Sequence, residues 1–254
     1  MSKLPKENQF LDLSDYGRPA AKWIANSLQD TKLTAIHLTV AFIFSGLIAI
    51  GCLLNAYYWA AAFFLVLKSV LDAADGELAR VKNQPSYVGR YLDSVSDIIL
   101  NFLLLLSIQH ISTASLLQMI LAFVGLQLQG TLYNYYYVIL RNKHNGDTTS
   151  RVFEKRAPKA LKGEHQKNVN LLFKLYQLFY SSFDRAIYQL DQSAFKDQFL
   201  PKWLMTAVST FGLGFQLLLM GIMLSFDLAD YIIPFFIYYS AFILVFIGLR
   251  KSLS

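Results

Sequence analysis

The chain has 254 residues, of which 55% are hydrophobic, and it carries a formal net charge of +6. The hydrophobic residues form runs too long for the core of a soluble protein, which indicates a membrane protein. The single cysteine, Cys52, excludes an intramolecular disulfide bond and any cysteine-based metal site.

The N-terminal segment, residues 1–35, precedes the first long apolar run and lacks the apolar core of a signal peptide. Over residues 19–33, apolar residues recur at helical spacing, with Trp23, Ile24 and Leu28 on one side. The pattern predicts an amphipathic helix that lies in the cytosolic membrane interface. Its simplest role is to anchor the first span, and the alternative is a wall of the route by which a lipid substrate reaches the protein.

Six apolar segments are each long enough to span a bilayer. They lie at residues 36–54, 57–79, 90–110, 114–139, 203–226 and 229–249. Residues 141–202 hold twelve of the 23 Lys and Arg residues, whereas the connections after the first, third and fifth spans hold none. Because Lys and Arg are enriched on the cytosolic side, both termini and the turn between spans two and three are predicted to be cytosolic.

The sequence therefore predicts an all-α, multi-pass membrane protein with one six-span domain, residues 36–254. A helical cytosolic segment, residues 141–200, separates spans four and five. The basic charge follows this topology, so the expected partner is the lipid bilayer with its anionic headgroups, and no nucleic-acid partner is expected.

Eight residues around the junction of spans two and three form the pattern D-x2-D-G-x2-A-R-x8-G-x3-D-x3-D. They are Asp72, Asp75, Gly76, Ala79, Arg80, Gly89, Asp93 and Asp97. A carboxylate deep in a spanning helix costs about 2.5–3.5 kcal/mol on insertion scales, so such residues usually pair with cations or bind metal. The first two aspartates share one helix face and the last two share another, and a chain reversal between them lets the faces oppose each other.

An all-oxygen site of this kind suits hard divalent ions such as Mg²⁺ or Mn²⁺. Two ions about 3.5–4 Å apart would suit an in-line displacement at phosphorus. Gly76 permits close backbone approach, and the Arg80 guanidinium is a forked donor suited to phosphate. The indicated chemistry is phosphoryl-group transfer.

The segment from Asp72 to Asp97 resembles, without a gap, the signature of the CDP-alcohol phosphatidyltransferases, which are integral membrane enzymes of phospholipid synthesis. The resemblance implies two divalent cations, Mg²⁺ or Mn²⁺, and a homodimer. It implies that the metal ligands are Asp72, Asp75 and Asp93. It implies that Asp97 is the base that activates the acceptor hydroxyl, and a ligand role for Asp97 is left open. The residues implied to line the CDP site are Asp72, Gly76, Ala79, Arg80 and Gly89.

One departure from the family lies upstream. Many members carry Thr-Pro-Asn before a Leu-Thr pair, whereas here Thr34 is followed by Ala35, Ile36 and His37 before Leu38 and Thr39. Any contact that the family asparagine makes is therefore not expected in this chain.

The long connection between spans four and five admits two interpretations. Its basic residues follow the positive-inside rule as a solvated loop, or else Arg151, Lys155 and Arg156 recognise a phosphate on the acceptor or the lipid. Apolar residues at helical spacing over 169–190 predict a further helix, which lies on the membrane surface or packs between subunits.

Several other residues carry weaker signals. Lys68, one turn before Asp72, is predicted to balance charge within the membrane. The tyrosines at 133 and 135–137 are interpreted as an aromatic belt, with a cytidine contact as the alternative. The glycines at 212, 214 and 221 are expected to permit close helix packing.

The predicted function is transfer of a phosphatidyl group from a CDP-alcohol donor, CDP-diacylglycerol in the first interpretation, to the hydroxyl of an acceptor alcohol with release of CMP. An alternative within the family is transfer from a CDP-amino alcohol to diacylglycerol. Two alternatives from other classes are a cation transporter, which predicts carboxylates spread over several spans near the midplane, and a lipid-binding scaffold without activity.

Overall fold

The computed structural model describes residues 4–144, 154, 156–197 and 199–253, and these residues form helices and no strands. The helices are α1 (Arg18–Leu28), α2 (Ala35–Leu54), α3 (Tyr58–Val81), α4 (Tyr87–Ile111), α5 (Leu116–Lys143), α6 (Gln166–Leu190), α7 (Gln192–Asp197), α8 (Lys202–Val208), α9 (Leu213–Ser225), α10 (Ala229–Tyr239) and α11 (Phe242–Ser252). Short 3₁₀ turns lie at Lys6–Asn8, Leu13–Asp15 and Ser209–Phe211. The all-α class predicted from the sequence is confirmed.

Four helical segments are long and apolar enough to cross a bilayer, namely α2, α4, α5 and the run Ala229–Ser252 that contains α10 and α11. A fifth results if α8 and α9, which are bent by 54° at the intervening turn, form one span. The structure thus supports four to five spans where the sequence predicted six. The difference lies in α3, because Lys68, Asp72 and Asp75 all fall within its first 18 residues.

The amphipathic helix predicted over 19–33 is observed as α1. It buries Ala21 and Ala25 completely, against Ala74 and Leu78 of α3. Ile24 and Leu28 pack against the same cluster, whereas Trp23 is 72% exposed, so Trp23 does not share the face to which the sequence pattern assigned all three residues. An exposed indole next to a packed helix face suits a position at the membrane–water interface.

The centre of the bundle is an apolar cluster contributed by α2, α3, α4, α5, α9 and α10. Small residues let the helices approach closely, as the sequence predicted for Gly221, whose added Cβ would lie 3.4 Å from Ala62 on α3. Helices α2 and α3 are joined further by a 2.8 Å hydrogen bond from Ser45 Oγ to the carbonyl oxygen of Phe64. These contacts form the apolar base on which the polar site rests.

The N-terminal segment crosses the break between α8 and α9. Gly214 N donates to Ser14 Oγ at 3.1 Å, and Leu13 N donates to Ser209 Oγ at 2.9 Å. A Cβ at Gly214 would lie 2.0 Å from the carbonyl oxygen of Ser14, so no larger residue fits without movement of this segment. The glycines of the fifth predicted span therefore receive the N-terminal segment as well as neighbouring helices.

Helix α6 packs across the end of α4. The fully buried ring of Tyr91 contacts the rings of Phe173 and Tyr176, with centroids 5.6 and 5.4 Å away. The hydroxyl of Tyr180 donates to the carbonyl oxygen of Ser94 at 2.8 Å. The helix predicted over 169–190 is thus present at 166–190, and it lies beside the residues of the signature.

Candidate active site

The two helices that carry the signature are joined by a tight turn. Asn83 adopts a positive φ of 51°, and Pro85 directly precedes Ser86, the residue before helix α4. Ser86 is the N-cap residue, and its Oγ accepts from Gly89 N at 2.8 Å. This reversal places the last turns of α3 beside the first turns of α4, as the spacing predicted.

Three carboxylates of the signature converge between these helices. Asp72, Asp75 and Asp93 each offer an oxygen, and the three oxygens lie within 4.8 Å of one another. Thr39 Oγ1 donates to Asp75 Oδ2 at 2.7 Å, while the buried Asp93 Oδ1 has no hydrogen-bond partner among the described residues. An unpartnered carboxylate oxygen in a cluster of three is costly without a cation, so these residues fit a hard divalent ion.

The fourth carboxylate, Asp97, lies outside this cluster. Its Oδ1 accepts from Lys68 Nζ at 2.5 Å, whereas Lys68 Nζ is 3.9 Å from Asp72 Oδ2. Lys68 is 1% exposed and also lies 4.8 Å from the ring centroid of Phe42. The sequence predicted a charge-balancing lysine paired with Asp72, and the structure shows that its closer partner is Asp97. The separation of Asp97 from the cluster suits a proton acceptor more than a metal ligand.

Arg80 lies one turn beyond Gly76 on α3. The guanidinium is 3.1 Å from Glu77 Oε1, and Arg18 of α1 donates to the same Glu77 oxygen. A Cβ at position 76 would lie 3.5 Å from the Arg80 guanidinium nitrogens, so the glycine leaves the space in front of this cation open. Glu77 and Arg18 therefore orient the arginine that the resemblance assigns to the CDP site.

The signature residues line a cavity of about 1340 Å³, which extends to α5, α6, α9 and the N-terminal segment. All eight predicted signature positions contribute to its wall. The acceptor hypothesis named three further residues. Arg151 and Lys155 lie outside the described residues, and Arg156 is exposed and absent from the cavity wall. An acceptor-phosphate contact by this segment therefore stays a prediction.

The aromatic belt predicted at the inner end of the fourth span is wrong. Tyr135 and Tyr136 are buried, and their hydroxyls donate to Asp191, to its carbonyl oxygen at 3.0 Å and to its Oδ2 at 2.6 Å. Tyr133 and Tyr137 line the cavity, and Tyr133 donates to Asp12 Oδ2 at 2.5 Å. The prediction failed because burial against distant segments cannot be distinguished from interfacial exposure by composition.

Sequence reasoning also missed an acidic and aromatic part of the cavity wall. It comprises Glu154 together with Tyr176, Tyr180 and Asp184 of α6. Glu154 accepts from Arg90 and, at 2.5 Å, from the hydroxyl of Tyr91. The only available signal was the helical period of α6, which indicated a helix but not which of its faces meets the site.

The comparisons with known proteins agree with this geometry. The family model for CDP-alcohol phosphatidyltransferase matches residues 32–157, which span α2 to α5 and contain the whole signature. No curated protein matches the chain in a direct sequence comparison. The carboxylate cluster, the separate Asp97 and the open face of Arg80 all lie within the matched range, and the chain belongs to the CDP-alcohol phosphatidyltransferase family.

Proposed function

We propose that this enzyme transfers the phosphatidyl group of CDP-diacylglycerol to the hydroxyl of a small polar alcohol and releases CMP. Family membership establishes the general reaction between a CDP-alcohol and an alcohol. The observation that carries the choice of donor is the side of the cavity formed by α6 and Glu154, where Glu154, Tyr180 and Asp184 contribute polar and acidic groups to the cavity that also contains Asp97. Such a wall suits a small polar acceptor and would oppose the apolar glyceride that the reverse arrangement requires.

The residues divide the chemistry as follows. Asp72, Asp75 and Asp93 would hold the divalent cations, which would neutralise the charge of the diphosphate. Arg80 donates to a phosphate oxygen, because Glu77 holds its guanidinium beside the open space at Gly76. Asp97 accepts the proton of the acceptor hydroxyl at its carboxylate as the oxygen attacks phosphorus.

Lys68 keeps Asp97 in position before substrate binds. Its ammonium contacts Asp97 Oδ1 at 2.5 Å and is buried, so its charge favours the ionised form of the carboxylate and orients the group from one side. The other carboxylate oxygen is the one that can meet the acceptor. Ionisation is what a general base requires, since a protonated carboxyl cannot take up the hydroxyl proton.

We further propose six spans, with α3 as the second, both termini and the site on the cytosolic side, and a homodimeric assembly as in the family. The support for α3 is its 24-residue length and the position of its carboxylates, Asp72, Asp75 and Glu77, which all lie in the half next to the α3–α4 turn. The distribution of Lys and Arg supports the orientation. A transporter is less well supported, because the clustered carboxylates belong to one pair of adjacent helix ends.

The test is CMP release by the purified protein in lipid nanodiscs with CDP-diacylglycerol and a panel of alcohols. Activity should disappear with a chelator and return with Mg²⁺ or Mn²⁺. Asp97→Asn should reduce kcat by about 10²–10⁴ while calorimetry shows nearly intact Mn²⁺ binding. Asp75→Asn should weaken Mn²⁺ binding itself, and exposed Asp30→Asn is the matched control.

Two outcomes would contradict these assignments. Full turnover in the metal-free protein would exclude the metal-dependent mechanism. An equal loss of Mn²⁺ affinity in Asp75→Asn and Asp97→Asn would show that Asp97 is a ligand instead of the base.

A further inference from the structure

Helix α6 forms one wall of the cavity although it lies outside the range that matches the family model. The match ends at residue 157, and α6 begins at Gln166. Its hydrogen bond from Tyr180 to the carbonyl oxygen of Ser94 joins it to the turn of α4 that lies between Asp93 and Asp97. The part of this chain that is not shared with the family model therefore faces the base of the reaction.

Three residues at i, i+4 and i+8 on α6 form a stripe along the cavity, namely Tyr176, Tyr180 and Asp184. The rings of Tyr176 and Tyr180 stack with centroids 5.0 Å apart and an interplanar angle of 20°. Burial, followed by the charges of Asp97 and Asp93, raises the pKa of the Tyr180 hydroxyl well above its ordinary value. Tyr180 is thus the member of the stripe that contacts the turn of α4 between Asp93 and Asp97, and Asp184 lies one turn further along α6.

Asp184 is a carboxylate without a counterion among the residues that the structure describes. No described cationic side chain lies within ion-pair distance of it, whereas the neighbouring Glu154 is paired with Arg90. Burial and then the Glu154 charge raise the pKa of Asp184 to about 7. Ionisation of a partly buried carboxylate without a counterion is energetically unfavourable, and a cationic group on the substrate would stabilise the ionised form.

We propose that the acceptor is a small alcohol with a cationic nitrogen, of the ethanolamine or choline type, whose cation pairs with Asp184 beside the ring of Tyr180. A carboxylate and an aromatic face are the groups that recognise an ammonium ion in proteins. The hydroxyl at the other end of such a molecule then points along the stripe towards Asp97. This inference rests on the proposed function and names its acceptor class.

The reaction balances without a further reactant. The acceptor oxygen forms a new bond to the phosphorus of the phosphatidyl group, and its proton passes to Asp97. The bond between that phosphorus and the bridging oxygen of the diphosphate breaks, and CMP leaves with the electron pair. The products are a phospholipid with a cationic headgroup nitrogen and CMP.

The test compares choline with its neutral carbon isostere, 3,3-dimethylbutan-1-ol, as acceptors in nanodiscs that contain CDP-diacylglycerol and Mg²⁺. Ethanolamine, glycerol 3-phosphate and an inositol phosphate complete the panel. We expect kcat/KM for choline or ethanolamine to exceed that of the isostere and of both phosphorylated acceptors by about tenfold or more. Asp184→Asn should reduce this advantage about tenfold, chiefly through KM, and Asp184→Glu should retain most of it. Exposed Arg185→Gln, on the next residue of the helix, is the matched control.

Direct binding of choline, measured by calorimetry on the wild-type protein and on Asp184→Asn, separates the two proposals. Turnover of glycerol 3-phosphate, an inositol phosphate or the isostere at least as well as choline would overturn the inference and leave the proposed function intact. An undiminished choline preference in Asp184→Asn would overturn it too. Absence of CMP release with every acceptor would contradict the proposed function, and the inference would then stand or fall on whether choline binding depends on Asp184.

Discussion

Replacement of Lys68 by methionine tests the buried ion pair that holds Asp97, the proposed base. Lys68→Met keeps the approximate length of the side chain and removes the ammonium that contacts Asp97 Oδ1 at 2.5 Å. The lysine side chain is 1% exposed and that of Asp97 is 15% exposed, so the variant leaves the Asp97 carboxylate with little solvent and without its counterion. Removal of one partner from such a pair costs about 3–5 kcal/mol, and we expect the lower end because Asp97 retains some exposure.

The assay is denaturant unfolding in mild detergent with a chelator present, because bound divalent ions change the charge of the site. Lys68→Met should lose about 3 kcal/mol of unfolding free energy. The double variant Lys68→Met with Asp97→Asn should recover most of that loss, since both charges are then absent. Exposed Lys22→Met, the control, should change stability by less than about 0.5 kcal/mol. A single-variant loss below about 1 kcal/mol, or a double variant as unstable as the sum of the singles, would refute the pair.

Three further predictions concern other parts of the molecule. Thr39→Val removes the 2.7 Å hydrogen bond to Asp75 of the proposed metal site, so Mn²⁺ affinity measured by calorimetry should fall about tenfold or more, and Thr39→Ser should restore it. Gly214→Ala places a Cβ 2.0 Å from a backbone oxygen and should lower the melting temperature, whereas Gly51→Ala, with nothing within 4 Å, should not; equal melting temperatures would contradict the close contact. Because the pKa of Asp184 is raised from 3.8 to about 7, the folded protein binds more protons than the unfolded chain between these two pH values, and stability falls as pH rises through this window. The melting temperature of Asp184→Asn should therefore exceed that of the wild-type protein at pH 8, with a gap that narrows towards pH 4, and a constant gap would contradict the shift.

The chemistry of the site could be read from the sequence to the extent that it depends on local spacing. Asp72, Asp75 and Asp93 meet as predicted, because the i, i+3 relation and one tight turn suffice to bring them together. The preference of Lys68 for Asp97 could not be predicted, since it depends on the rotation of α4 relative to α3. Helical period is a property of one segment, and the relative rotation of two segments is set by packing.

The same limit explains the other differences. The period of α6 indicated a helix but not its orientation. The contact of Tyr91 with Phe173, which joins segments far apart in the chain, determines which face of α6 lines the cavity. Tyr135 and Tyr136 are buried because their hydroxyls donate to Asp191, which is again distant in the sequence. Span prediction differed at α3 because the charged residues of the candidate active site give this helix a composition intermediate between spanning and soluble helices.

The polar composition of α3 has a consequence for the biogenesis of the protein. A helix with Lys68, Asp72 and Asp75 in its first 18 residues enters a membrane poorly by itself. Its neighbour α2 is strongly apolar and offers Thr39 to Asp75, at 2.7 Å. The two helices are therefore suited to leave the translocon together as a hairpin, in which one helix supplies the hydrophobicity and the other carries carboxylates of the candidate active site.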